Sequence, residues 1–118
     1  MPGRKKLQVI VQHDKNIAVI SVSGDVDLYS SPEMRKAITQ LSKKKVPLIV
    51  VNLKDVDYMD SSGVATLVEG LQLTGNYNGC FRIACLKPMV REVFELARLD
   101  RVFEIYETEE KALKVSPL

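Results

Sequence analysis

Pro47-Leu48-Ile49-Val50-Val51-Asn52-Leu53 is apolar at nearly every position and rich in β-branched residues. A strand buried on both faces reads this way, because neither side of its pleat meets water. Beyond it the period changes. Val64, Leu67, Val68 and Leu71 recur at the spacing of a single helical stripe. A central parallel strand that feeds a helix is the repeating unit of an α/β layer structure, and the rest of the chain extends that unit in both directions.

Upstream, Leu7, Val9 and Val11 alternate with Gln8 and Gln12, as in a half-exposed strand. His13-Asp14-Lys15-Asn16 reads as a polar hairpin turn. The run from Ile17 to Val22 is apolar on both faces and belongs inside the sheet, with Gly24 ending it. Ser30 and Ser31 then stand before Pro32, a helix start with proline at its first position. Met34, Ala37, Ile38 and Leu41 form that helix's stripe, and Lys43, Lys44 and Lys45 complement its dipole at the far end. Downstream of Leu71, the second helix stops near Gly75-Asn76, and Asn78-Gly79 leads into a strand over 80–86. Pro88 opens a third helix with Val90, Val93, Phe94 and Ala97 on its buried side. A short strand around 103–106 follows, and Thr108 caps a last helix whose first turn holds Glu109 and Glu110. The order ββαβαβαβα predicts an α/β domain: a mixed, mostly parallel sheet packed against helices. One domain over 1–118, with its core from about residue 7 to about 113, accounts for the whole chain.

Composition agrees with this and excludes several functions. The 118 residues are 46% hydrophobic and 27% charged, a globular balance. Seventeen basic residues against 15 acidic leave +2, too little for a protein that tracks phosphates along nucleic acid. No apolar run approaches the ~20 residues of a membrane span. Met1-Pro2-Gly3-Arg4-Lys5-Lys6 precedes no signal-peptide core, so a cytoplasmic location is expected. Cys80 and Cys85 fall in one predicted strand. Five strand residues span about 16 Å, beyond the ~7 Å limit for a disulfide. Their odd spacing aims them at opposite faces, so buried free thiols are expected rather than a metal pair.

Enzymatic constellations are missing. The single histidine, His13, lies in the predicted polar turn beside Asp14 and Lys15, and a triad needs a well-placed histidine. No nucleophile elbow, phosphate-cradling glycine loop or Cys/His ligand set occurs, so no catalytic residue, metal or cofactor is expected. What remains is Val56-Asp57-Tyr58-Met59-Asp60-Ser61-Ser62-Gly63, read as the link from the central strand to the second helix. That link lies at the carboxyl end of a parallel strand, where α/β proteins tend to bind. Asp60, Ser61 or Ser62 can serve as the helix cap and Gly63 can permit tight helix–sheet packing. Two hydroxyls beside a carboxylate exceed what a cap requires, and a helix N-terminus tolerates phosphate. The second candidate is Gly24-Asp25-Val26-Asp27, read as a polar strand-to-helix loop. If it shares the sheet's rim with Ser61, two acidic loops would offer a surface to a basic partner.

On these residues the sequence resembles the STAS-domain anti-sigma factor antagonists, the anti-anti-sigma class of bacterial partner-switching regulators. The resemblance runs from about Leu7 to Leu113. It rests on Gly24-Asp25-Val26-Asp27, on Val50-Val51-Asn52-Leu53 leading to Met59-Asp60-Ser61-Ser62-Gly63, and on Ile83-Ala84-Cys85-Leu86 followed by Pro88 and Val93-Phe94. It implies a switch rather than an enzyme. Ser61 takes the place of the family's phospho-acceptor. Ser62 is its neighbour in the partner interface, and Asp27 matches the interface aspartate; Gly24, Asp25, Asp60 and Gly63 complete the implied partner surface. The implied partners are an anti-sigma factor that is also a serine kinase, with a GHKL-type ATP site, and a metal-dependent serine phosphatase that reverses its action. Direct contact with nucleic acid or membrane is not implied, and the free protein is expected to be a monomer. Two other readings compete. A receiver-type domain would use Asp57 as acceptor, Asp25 and Asp27 as metal-binding acids, and Lys87-Pro88 as its lysine turn, but it would not open with a hairpin. A STAS module regulating a partner other than an anti-sigma factor would bind without regard to ATP.

Overall fold

The computed structural model describes residues 5–114. Met1 to Arg4 lie outside the described residues, and with them the reading of the amino terminus, as do the last four residues of the 1–118 domain. The strands are β1 (Gln8–His13), β2 (Ile17–Val26), β3 (Leu48–Met59), β4 (Cys80–Ala84) and β5 (Glu104–Tyr106). The helices are α1 (Ser31–Lys43), α2 (Ser61–Gly75), α3 (Pro88–Leu96) and α4 (Glu109–Lys114). All nine elements follow the expected order. The sheet runs β1-β2-β3-β4-β5 in space; β1 is antiparallel to β2 and every other pair is parallel. The 48–53 run is therefore the central strand, as its composition predicts.

Side-chain alternation divides the molecule into two layers. Ala18, Ile20, Val22, Ile49, Val51, Phe81 and Ile83 face α1, α2 and α3 and form the main core with Met34, Ile38, Leu67, Val90 and Phe94. The alternate residues Val19, Leu48, Val50 and Ala84 pack with Ala112 of α4 and with the partly buried Ile17, Cys80, Cys85, Tyr106 and Leu113, a much smaller cluster. Arg82 points into this second layer and is 2% exposed. A buried charge survives only if it is paired. Its Nε donates to Glu104 Oε1 at 3.0 Å, its Nη1 donates to the Ala112 carbonyl at 2.8 Å, and its guanidinium lies 5.5 Å from the Tyr106 ring centre.

Several boundaries differ from the sequence expectation, each for a local reason. His13 is the last residue of β1, opposite Ala18, and the turn is Asp14-Lys15-Asn16, held by Asp14 Oδ1 accepting from the Asn16 and Ile17 amides at 3.0 Å. Gly24 does not end β2. It sits inside the strand at φ +101°, and an ideal Cβ there would lie 2.3 Å from the Lys6 carbonyl oxygen. Only glycine lets the chain before β1 cross so close. β3 continues six residues past Leu53, so Val56 to Met59 is strand and not linker. β4 stops at Ala84. Cys85 has φ +66°, which breaks the alternation and turns it toward the same apolar cluster as Cys80. Both thiols are free and half-buried, not aimed at opposite faces. Ala97 caps α3 at its exposed end rather than joining the buried stripe.

Replacing Gly24 by alanine combines left-handed strain of about 1–2 kcal/mol with a backbone clash. Urea unfolding of Gly24→Ala should show a loss of about 2–4 kcal/mol, and an unchanged midpoint would show that the crossing yields without cost.

Candidate functional site

The parallel register brings the two candidate segments to one rim. Asp25 lies opposite Tyr58 and Val26 opposite Met59, and the Asp60 amide donates to the Val26 carbonyl at 3.0 Å. The chain therefore leaves β3 directly beside the exit of β2. Gly63 seats the start of α2 on these strand ends: a Cβ there would lie 2.6 Å from Met59 Cγ and 2.7 Å from Val26 Cγ1.

Of the three possible caps, Asp60 is the one used. Its backbone is extended, and its Oδ1 accepts from the Ser62 amide at 2.9 Å and the Gly63 amide at 3.4 Å. A carboxylate at this position satisfies orphan N–H groups and complements the helix dipole. The Ser62 hydroxyl donates to the same oxygen and is half-buried. Ser61 is different. It is the first residue of α2, it is exposed, and among the described residues no protein group bonds its hydroxyl.

The Gly24-Asp25-Val26-Asp27 segment is the end of β2 plus a tight turn rather than a free loop. Asp27 Oδ1 accepts from the Tyr29 amide at 2.9 Å and the Ser30 amide at 3.0 Å. Ser30 occupies the cap position of α1 without capping it. Its Oγ instead accepts from the Asp27 amide at 2.9 Å and donates to the Asp25 carbonyl at 2.8 Å. Asp25 Oδ2 accepts from the Lys5 amide at 3.0 Å. Asp57 pairs with the ammonium groups of both Lys5 and Lys87. The hydrogen bond from Lys5, then that from Lys87, lowers its pKa from 3.8 to about 2, and Asp57 raises that of Lys5 in turn.

All four rim carboxylates are thus held in place by groups of their own chain, and the two lysines offset the charge of Asp57. The rim also exposes large apolar side chains. Leu28 is 67% exposed, Tyr29 81%, Tyr58 52% and Met89, at the start of α3, 74%. Leu28, Ser31, Arg35, Ser61, Val64 and Leu99 line one open cleft of about 700 Å³ between α1 and α2. Arg35 and Glu69 form a bidentate pair on its wall at 2.6 and 3.0 Å. Sequence reasoning missed this apolar component. Its one available signal was Leu28-Tyr29, two large side chains in a segment otherwise made for turning.

The receiver arrangement does not form. The chain opens with the β1–β2 hairpin, and Asp57 is held between two lysines on the outer part of β3.

The family model for the STAS domain matches residues 8–112. An anti-sigma F factor antagonist from Paenibacillus polymyxa is 25% identical over 108 residues, 91% of this chain and 92% of the relative. The crystal structure of an anti-sigma factor antagonist from Mycobacterium paratuberculosis is similar with a TM-score of 0.83 at 28% identity, over 92% of each chain. The Bacillus cell fate determinant SpoIIAA, solved in its phosphorylated form, has a TM-score of 0.70 at 23% identity, over 91% of this chain and 96% of that one.

Two outcomes follow from the geometry. Asp60→Ala removes a cap worth about 1 kcal/mol, and Asp60→Asn should recover most of that loss in thermal unfolding. Asp57 has a folded-state pKa below its ordinary value, so its contribution to stability is complete above pH 3.8 and disappears as the pH falls toward about 2. Wild type should therefore lose stability across that window more steeply than Asp57→Asn. Because both lysine pairs are exposed, 1 M salt should narrow the difference.

Proposed function

Because the chain belongs to the STAS domain family, we propose that it is an anti-anti-sigma factor of a bacterial partner-switching pathway, acting in the cytoplasm. Unphosphorylated, it binds an anti-sigma factor that is also a serine kinase and so frees the sigma factor for transcription. Phosphorylation of Ser61 abolishes that binding, and a serine phosphatase restores it. The chain is the substrate of both enzymes and carries out no catalysis itself.

The observation that carries this reading is the Ser61 hydroxyl, which is exposed and, among the described residues, unbonded at the first position of a helix capped by its neighbour. A phosphate there gains from the helix dipole, so the fold survives modification. Asp60 already takes the Ser62 and Gly63 amides, which leaves the phosphate directed outward toward a partner. The apolar rim of Leu28, Tyr29, Tyr58 and Met89 supplies contact area around it. Asp25, Asp27, Gly24 and Gly63 act by shaping the rim, and Ser62 by its place beside Ser61.

The energetics suit a toggle. A phosphoserine brings about −1.5 to −2 charges, taking the net charge from +2 to near zero. A new like-charge contact at about 4 Å costs roughly 4 kcal/mol at an effective dielectric near 20, or about three decades of affinity. Incubation with each candidate anti-sigma kinase and ATP, followed by mass spectrometry, should find acid-stable phosphate on Ser61 and none on Ser61→Ala. In calorimetric titrations Ser61→Ala should bind the kinase with or without ATP, and Ser61→Asp should bind more weakly. Equal affinities for the phosphorylated and unphosphorylated protein would refute the switch. Tight binding without any transfer would favour a STAS module with another output.

A further inference from the structure

The proposed switch leaves β1 without a role, and β1 is an unusual edge. A sheet edge presents unpaired N–H and C=O groups, which proteins normally blunt with charge, proline, bulges or a short strand. The β5 edge is three residues long and carries Glu104. β1 is six residues, Gln-Val-Ile-Val-Gln-His, with no Lys, Arg, Asp, Glu or Pro, and it pairs in regular register with β2. Ile10 is 61% exposed and Val11 41%.

The direction of its free backbone groups follows from the turn. The Asp14 amide donates to the Ile17 carbonyl, so the alternation of an antiparallel pair turns the even residues of β1 toward β2. Val9, Val11 and His13 therefore direct their N–H and C=O groups outward.

We propose that this edge joins a second copy of the chain, in place of the monomer expected from the sequence. The two β1 strands run antiparallel about a two-fold axis perpendicular to the sheet, merging two five-stranded sheets into one. Such an axis keeps each face of the sheet continuous, so residues of the same parity pair. With Ile10 opposite Ile10, Val9 and Val11 of the two copies exchange backbone hydrogen bonds, Gln8 meets Gln12, and Lys6 approaches Asp14 at each end. The flank of α1 beside this edge supplies a second complementary element. Val9, Val11, Glu33 and Lys36 border one groove of about 480 Å³. A two-fold axis turns Glu33 of each copy toward Lys36 of the other, because an isologous interface makes every contact twice. Ser61 follows β3, two strands in from this edge, and stays open to its own partner.

Sedimentation equilibrium and backbone amide exchange over about 1 µM to 1 mM test the dimer, at concentrations where weak association registers as a mass-action effect. The mass should rise from 13.2 kDa toward twice that value. Over the same range the Val9 and Val11 amides should gain protection, while the Ile10 amide, already bonded to β2, stays constant. Ile10→Lys sets two like charges directly opposite each other and should weaken the dimer by about 100-fold or more. Since Ile10 is exposed in the single chain, its melting temperature at low concentration should not change. Glu33→Lys should also weaken association, and Glu33→Lys/Lys36→Glu should restore it. A mass that stays at 13.2 kDa to 1 mM overturns the proposal. So does a dimer that Ile10→Lys leaves intact and that does not protect Val9 and Val11. None of these readouts involves phosphate, so their failure is separate from any failure of the switch.

Discussion

The parallel pairing of β2 with β3 is the constraint on which the rest of the structure depends, and it is not uniform. Ile17 to Ser21 pair with Leu48 to Asn52 in steady register. The register then slips between Ser21 and Ser23 and again between Ser23 and Asp25, so that Val26 comes opposite Met59. Each one-residue slip reverses the faces of a strand, and two restore them. The polar Lys54-Asp55 pair absorbs the excess on β3, with the Lys54 amide bonded to Asn52 Oδ1 at 2.9 Å. Leu53, Val56 and Met59 are consequently all buried at a spacing of three. Without the slips, the end of β3 would not meet the end of β2, and α2 would not start on Val26 and Met59.

This explains what the sequence could reveal and what it could not. The central strand, the helical stripes and the element order are visible because period two and period 3.6 leave direct traces in residue type. Val56 to Met59 is invisible as strand because strict alternation from Leu53 would bury Asp55 and Asp57, so the pattern looks like loop. Gly24 looks like a terminator for the same kind of reason. Its role is a close crossing by Lys6, eighteen positions earlier in the chain, and no local pattern encodes a contact at that distance. Cys85 hides in an apparently continuous strand because a left-handed residue has no signature unless it is glycine. At the site, the position of Ser61 at a helix start was legible, but the choice of cap among Asp60, Ser61 and Ser62 depends on which side chain the extended backbone at Asp60 turns toward the free amides.

The two faces of the sheet are unequal, and that inequality depends on one charge. Three helices cover one face through ordinary apolar packing. Among the described residues the other carries only α4, whose six described residues would not be stable as an isolated helix in water. Its attachment combines a little apolar burial at Ala112 with hydrogen bonds: Arg82 to the Ala112 carbonyl, and Asn52 Nδ2 to Glu109 Oε1 at 2.8 Å. With Glu104 and Tyr106 also engaged, the guanidinium links β4, β5 and α4. An arginine in a strand ordinarily signals an exposed face, so this layer too was hidden in the sequence.

The distribution of charge at the rim bears on how well a phosphate could act as a signal there. Asp25, Asp27, Asp57 and Asp60 all lie in the two acidic segments that meet at this rim. Asp57 is neutralised by two lysines, and the other three bond backbone amides of their own chain. A hydrogen bond from an amide fixes where a carboxylate points without cancelling its charge, so only Asp57 is offset, and the other three still contribute to the field that a phosphate at Ser61 would join. In the proposed switch, that phosphate acts on a partner through like-charge repulsion and through the cost of desolvating it beside the exposed Leu28, Tyr29 and Tyr58.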